Sequence, residues 1–285
     1  MINTWKRHLH SAGYSENTVC LRIRSVREFL DICGRDISPR GIKKWQHRLI
    51  ERDLSVSTRI VKTVSVRAYL GWLRENDQIL FDPLRAVPVP GKEKRVPRVV
   101  LGEEEIKNIL NLFTTRKQLR RKAIVELFYS TGIRRSELLN LDLYDLQLKE
   151  RVLFIRQGKG GTDRLLPLVK KTVDVLSEYL HKSRCKAEEK TQALFLAPDG
   201  TRMKSKAVDV LCQWIREALE MEKPVSPHVF RHSIATHLLQ RGLGIRYIQS
   251  FLGHADLSST EIYTRVVPRE TKKMIDRHHP RNRMK

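Results

Sequence analysis

Apolar residues fall at mixed three- and four-residue spacing between Ser15 and Cys33, where Val19, Ile23, Val26, Phe29 and Leu30 predict an amphipathic helix. A second run, Ser57 to Leu73, repeats Ile60, Val64, Ala68 and Trp72 every four residues and predicts another helix with those four as its apolar stripe. Gly34 and Ser38-Pro39 break the chain between the two, as helix stops do. No strand-like alternation occurs before residue 86, so residues 1–86 predict a helical domain. From Asp82 to Val100 the periodicity disappears. Pro83, Pro88, Pro90 and Pro97 exclude a helix there, and residues 87–100 read as an extended linker. Residues 103–112 and 119–130 again predict helices. Arg151–Ile155 and Asp163–Leu168 predict short strands around the glycine-rich turn Gly158–Gly161, and helices return from Lys170. The expected fold is mainly α with a small β-sheet (α+β): a helical first domain, the linker, a mixed second domain over residues 101–275, and a basic tail over 276–285.

Composition adds a polyanionic partner to this picture. The 285 residues carry 55 Lys and Arg against 32 Asp and Glu, a formal charge of +23. Both halves share the excess, with 16 basic and 9 acidic side chains in residues 1–90 and 39 against 23 in the rest. The stretch from Asp82 to Val100 contributes Arg85, Lys92, Lys94, Arg95 and Arg98, so two domains and their connection read as a clamp along a phosphate backbone. With 40% hydrophobic residues the chain has enough apolar material for a core, and its length suggests about two domains. Apolar runs such as Val152–Ile155 are far shorter than the about 20 residues of a membrane span, and Met1–Lys6 lacks a signal-peptide pattern. A cytoplasmic, nucleoid-associated protein is expected. Cys20, Cys33, Cys185 and Cys212 are scattered without zinc-finger spacing, which points to reduced thiols and no metal site.

Four segments carry candidate chemistry. In Ser130-Thr-Gly-Ile-Arg-Arg-Ser-Glu137, Gly132 permits a break before a new helix, and Arg134 and Glu137 then fall three apart on one helical face, where a carboxylate can orient a guanidinium. Gln157-Gly-Lys-Gly-Gly161 sets Lys159 at the tip of a turn between strands. In Ser226-Pro-His-Val-Phe-Arg231, Ser226 is a helix N-cap and Pro227 opens the first turn. His228 and Arg231 then share one face near the positive end of the helix dipole, while Phe230, Ile234 and Leu238 anchor another. Leu252-Gly-His254 ends a helix that begins near Ile245, and Tyr263 follows on a short helix capped by Ser258 or Ser259. Each segment alone has an ordinary reading: a surface ion pair, a hairpin tip, a structural histidine, a core tyrosine.

Together they resemble the tyrosine recombinase (phage integrase) family, and within it the Xer-like site-specific recombinases. The motifs run in family order along nearly the whole chain: Gly-Ile-Arg134-x-Ser-Glu137, Gly-Lys159-Gly, His228-x-x-Arg231, Leu-Gly-His254 and Tyr263. Tyr14–Val19 resembles the family's entry to its core-binding domain, Asp82-Pro83-Leu84 its exit, Gly102–Ile106 the start of its catalytic domain, and Asp276–Arg281 its tail. The resemblance implies a DNA-clamping domain over 1–86 and a catalytic domain over 101–275. It also implies a covalent 3′-phosphotyrosyl intermediate, strand exchange through a Holliday junction, and a homo- or hetero-tetramer on a double-stranded DNA recombination site.

The residue chemistry fits. Tyr263 is the candidate nucleophile; a phenol with an ordinary pKa near 10 needs nearby positive charge or a base to react at neutral pH. Arg134 and Arg231 can fork onto phosphate oxygens, His228 and His254 can donate or shuttle protons, and Lys159 is the candidate general acid. Glu137 would hold Arg134. A cationic cage of this kind makes a metal or other cofactor unnecessary. Two rivals stand beside this reading: a type IB topoisomerase with similar chemistry, and a catalytically silent DNA-binding protein.

Overall fold

A computed structural model describes the chain apart from residues 35–36, 83–84, 86, 92–98, 157–162, 185–190, 254–268 and 285, and of 269–271 it describes only the backbone. The chain divides into two units, Met1–Val96 and Pro97–Lys285.

The first unit is built from α1 (Ile2–Ser11), α2 (Glu16–Cys33), α3 (Pro39–Glu51) and α4 (Val56–Glu75). Serine hydroxyls open three of them: Ser15, Ser38 and Ser55 accept from the backbone N–H groups of Thr18, Gly41 and Thr58, which removes one orphan donor from each helix start. Large rings fill the core, with Trp5 packed edge-on against Tyr69 at 5.1 Å and Phe29 against Trp45 at 5.4 Å.

The expected stripe on α4 is corrected. Val64 is 43% exposed, and the buried face runs through Thr63, Val66, Tyr69, Leu70 and Leu73. A strict four-residue repeat overshoots each helical turn by about 40°, so Ile60 to Trp72 drifts around the helix, whereas mixed three- and four-residue steps stay on one side. Past α4, Val87 is buried in this same core and Gln46 Nε2 donates to Pro88 O at 3.0 Å. The extended stretch assigned to residues 87–100 therefore begins attached to the helical unit.

The second unit contains α5 (Glu103–Asn111), α6 (Leu119–Thr131), α7 (Arg135–Asn140), α8 (Lys170–Lys182), α9 (Ser205–Ala218), α10 (Pro227–Gln240), α11 (Ile245–Leu252) and α12 (Arg269–His278). Its antiparallel sheet has the order β1 (Leu146–Gln147), β2 (Val152–Ile155), β3 (Arg164–Pro167), in which Ile155 pairs with Arg164. The two-residue strand β1 is too short for periodicity to reveal. Helix α6 is buried on every side from Ala123 to Thr131, which makes it the axis around which α8 and α10 pack.

Residues 276–284, expected as a basic tail, fold onto α6 instead. Arg281 Nε lies 2.9 Å from both carboxylate oxygens of Glu126, a residue with no exposed surface, and Thr172 Oγ1 donates to the same carboxylate at 2.8 Å. His279 is 1% exposed; its Nε2–H donates to Ser130 O at 2.8 Å, and its Nδ1 accepts from the Arg281 backbone. Met284 and Ile275 are also buried. The basic character of the segment is real, but the charge of Arg281 is matched inside the core by Glu126. No helix among the described residues is long and apolar enough to cross a membrane; Cys20 and Cys212 are free thiols, and the Cys33 thiol donates to Gly41 O at 3.1 Å.

Candidate active site

The site is assembled where four chain segments meet at the end of α6. Gly132 terminates that helix with φ +60°, a left-handed conformation that releases the chain toward Arg134. Arg134 is the residue before α7, not a member of its helical face as the spacing suggested. Its backbone N–H donates to Glu137 Oε2 at 2.9 Å, while its side chain donates to Glu137 Oε1 at 2.8 Å and to Gly253 O at 2.8 Å. One carboxylate thus caps α7 and orients the guanidinium that precedes it.

Arg231, in the second turn of α10, is 7% exposed. It donates to Gly132 O at 2.7 Å and to Leu252 O at 2.6 Å. Ser226 Oγ caps α10 by accepting from Val229 N at 3.3 Å, with Pro227 in the first turn. Phe230, Ile234 and Leu238 are fully buried, which fixes the rotation of α10 and sends Arg231 inward. His228, one turn earlier, is exposed. Helix α11 ends at Gly253 in the left-handed region, with φ +66°. Its last carbonyls, from Leu252 and Gly253, are the ones that receive Arg231 and Arg134.

A third guanidinium completes the group. Arg164 on β3 forks onto Glu137, with Nη1 to Oε1 at 2.9 Å and Nη2 to Oε2 at 2.7 Å. Sequence spacing gave no hint of this contact, since the partners are 27 positions apart; the only signal available was a charged residue inside an otherwise apolar strand. Burial disfavours the ionised form of Glu137, yet the hydrogen bonds and charge of Arg164, then the backbone and side-chain hydrogen bonds of Arg134, prevail and bring its pKa down to about 2. Burial, followed by repulsion from Arg134 and Arg164, lowers Arg231 to about 10. Among the described residues, three guanidinium groups here face one carboxylate, and the uncompensated positive charge suits an oxyanion.

Strand β2 is braced at its end by Arg156, which donates to Asp142 at 2.7 Å and to Asp145 at 2.9 Å. Asp142 in turn receives Arg202. Lys159, His254 and Tyr263 lie outside the described residues. Of the expected set, the structure therefore brings together Arg134, Glu137 and Arg231, and sets His228 in the first turn of the helix that carries Arg231. Among the described residues no group of three or more His, Cys, Asp or Glu is placed to hold a metal ion.

The family model described as the phage integrase family matches residues 99–270, which include every one of these positions. The chain belongs to the phage integrase family. Among its relatives is tyrosine recombinase XerC 2 of Ralstonia nicotianae, 32% identical over 94% of this chain and 82% of that one. Tyrosine recombinase XerC of Neisseria meningitidis is 34% identical over 94% of this chain and 92% of its own length. The structure is similar to that of XerA recombinase, with 26% identity, a TM-score of 0.53 and 98% of each chain covered. It also shares the fold of the Tn1549 transposon integrase, solved with a circular-intermediate DNA, at 20% identity and a TM-score of 0.69, covering 90% of this chain and 91% of that one. As an integrase-family protein the chain has the mainly α architecture with one small sheet that its hydrophobic pattern indicated.

Proposed function

We propose that this protein is a site-specific DNA recombinase that cuts and rejoins strands by transesterification at Tyr263. The observation that carries the reading is the three-guanidinium cluster around Glu137, with charge in excess of its one carboxylate, in a chain of the phage integrase family. In the first step the phenolic oxygen of Tyr263 forms a bond to the scissile phosphorus, and the bond from phosphorus to the 5′ oxygen breaks. Lys159 supplies the proton to that leaving oxygen, which becomes a free 5′-hydroxyl, while the phenolic proton passes to the surroundings through His228 or His254. Arg134 and Arg231 hold the non-bridging oxygens as charge builds in the transition state, and Glu137 supports Arg134. The 3′-phosphotyrosyl bond retains the energy of the original linkage, so religation to a second strand needs no nucleotide cofactor. Two such exchanges, made in pairs by four protomers of this chain alone or with a partner recombinase, pass through a Holliday junction on double-stranded DNA.

The test is covalent capture in cells. After detergent denaturation, wild-type protein is expected to carry DNA whose sequences cluster on one site, and Tyr263→Phe none, although the latter still binds duplex. An adduct at wild-type yield from Tyr263→Phe would overturn the assignment. Arg231→Ala should lose about 10²–10³-fold in cleavage with a smaller change in binding; equal losses in both would make Arg231 an anchor only.

A further inference from the structure

Arg164 stands outside the set of residues read from motifs, yet it occupies the junction of three segments that the site depends on. It lies on β3, the strand that follows residues 157–162 and therefore Lys159, paired across the sheet with Ile155. Its guanidinium chelates both oxygens of Glu137, whose side chain is only 4% exposed. Its stem lies against the backbone just ahead of His254: a Cβ on Gly253 would come within 2.9 Å of Arg164 Cδ and Nε. Glu137 already serves α7 and Arg134, so the position of its carboxylate, together with Gly253 O, sets where the Arg134 guanidinium points. With Arg164 absent, that carboxylate would keep, among the described residues, the Arg134 side chain and one backbone N–H. It would then be free to rotate toward solvent or to take up a proton.

We propose that Arg164 is a positioning residue of the recombinase: it locks the Glu137 carboxylate in a two-point fork so that Arg134 is presented in a single orientation to the scissile phosphate. Lysine cannot replace it fully, because an ammonium is a point charge and cannot hold both carboxylate oxygens in the plane of a fork. The proposal rests on the reading of Arg134 as a phosphate-holding residue, and the measurements are arranged to separate the two.

The first measurement needs no DNA. In the full-length protein, the Glu137 carboxyl resonance is followed by NMR against pH, with Glu137→Gln for assignment. The wild-type midpoint should lie at about 2, in keeping with the depressed pKa, and in Arg164→Gln it should rise into the ordinary carboxylate range, about 4.3 or above. An unchanged midpoint would overturn the proposal. The second measurement is single-turnover cleavage of a nicked duplex bearing the sequence recovered by covalent capture. Arg164→Gln is expected to lose about 10²-fold in rate while keeping duplex affinity, to gain an acid limb in its pH profile that the wild type lacks, and to be partly rescued as Arg164→Lys. In an Arg134→Ala background the further loss should be under about 3-fold, because Arg164 acts through Arg134. A full multiplicative loss in that background would refute positioning. Wild-type cleavage by Arg134→Ala would instead overturn the assignment of Arg134 and leave the NMR result to judge the fork. If Arg164→Gln fails to fold, Arg164→Lys carries both measurements, with an intermediate rise in midpoint and an intermediate loss of rate; identity with wild type in both would refute the proposal.

Discussion

Replacing Gly132 with alanine should destabilise the second unit through two separable causes. The first is backbone: at φ +60° an L-residue with a Cβ loses about 1–2 kcal/mol relative to glycine. The second is packing: the new methyl would sit 2.5 Å from Leu252 Cδ2 and 3.3 Å from Ile234 Cγ2. Both neighbours are buried, and crowding of that kind costs about 1–3 kcal/mol more. Gly200 provides the control, since its φ is +80° and nothing lies within 4 Å of a Cβ placed there. Gly200→Ala should lose only the backbone share, and Gly132→Ala the sum, about 2–5 kcal/mol. Native-state hydrogen exchange of the α6 amides is a suitable assay, because these fully buried groups report opening of the second unit alone. The collision also pushes Leu252, whose carbonyl anchors Arg231. Cleavage by Gly132→Ala should therefore fall even at temperatures where the fold persists. Equal destabilisation by the two variants would refute the packing argument, and a loss below about 0.5 kcal/mol in both would refute the backbone argument as well.

Arg281→Met should cost about 3–5 kcal/mol, because it strands the buried Glu126 carboxylate with Thr172 as its remaining side-chain donor among the described residues. Adding Glu126→Gln should recover much of that loss in the same exchange assay, and a single-variant cost under about 1 kcal/mol would refute the pairing. His279 gives a pH dependence. Burial, opposed by its bond to Ser130 and reinforced by Arg281, Arg241 and His237, lowers its pKa to about 4. A histidine depressed in the folded state favours the neutral form, so its contribution is complete above the unfolded value near 6.5. It is lost progressively as pH falls toward 4. Thermal unfolding of wild type and His279→Gln between pH 7 and 4 should show the steeper fall in the wild type; parallel curves would remove His279 as the cause.

The hydrophobic pattern placed α2, α4, α5 and α6 because their starts and stops are written locally, as are the Ser226 cap of α10 and the glycine ends Gly132 and Gly253; it passed over α1 and α3, and Ser38-Pro39, read as a break, is instead the capped start of α3. It misjudged the inward side of α4, since the side that becomes buried is set by what packs on it, and Val64 is no less apolar than Val66. Of the site, the pairing of Arg134 with Glu137 was legible from their three-residue spacing, whereas Arg231 was singled out by its place in the set of motifs. Arg164 was not legible, because its partner is brought to it by the sheet. The last residues misled for a related reason: Arg281 looks like a surface charge until Glu126, 155 positions earlier, is seen to be buried opposite it. Lys159, His254 and Tyr263 rest on motif resemblance, and their roles belong to the proposed function.

Arg231 and Arg134 are both moored to main-chain oxygens at the close of α11, from Leu252 and Gly253. Main-chain acceptors do not depend on which side chains surround them. Exposed positions of that helix, such as Arg246 and Ile245, can therefore drift without moving either mooring. Length is a different matter. Inserting or deleting one residue within α11 would turn the following carbonyls by about 100° and shift them by about 1.5 Å along the axis. Each arginine would lose its α11 acceptor in a single event, leaving Arg134 with Glu137 and Arg231 with Gly132 O. Evolution along this stretch should thus be permissive to substitution and closed to insertions and deletions, a pattern that deep mutational scanning of residues 245–253 would reveal directly.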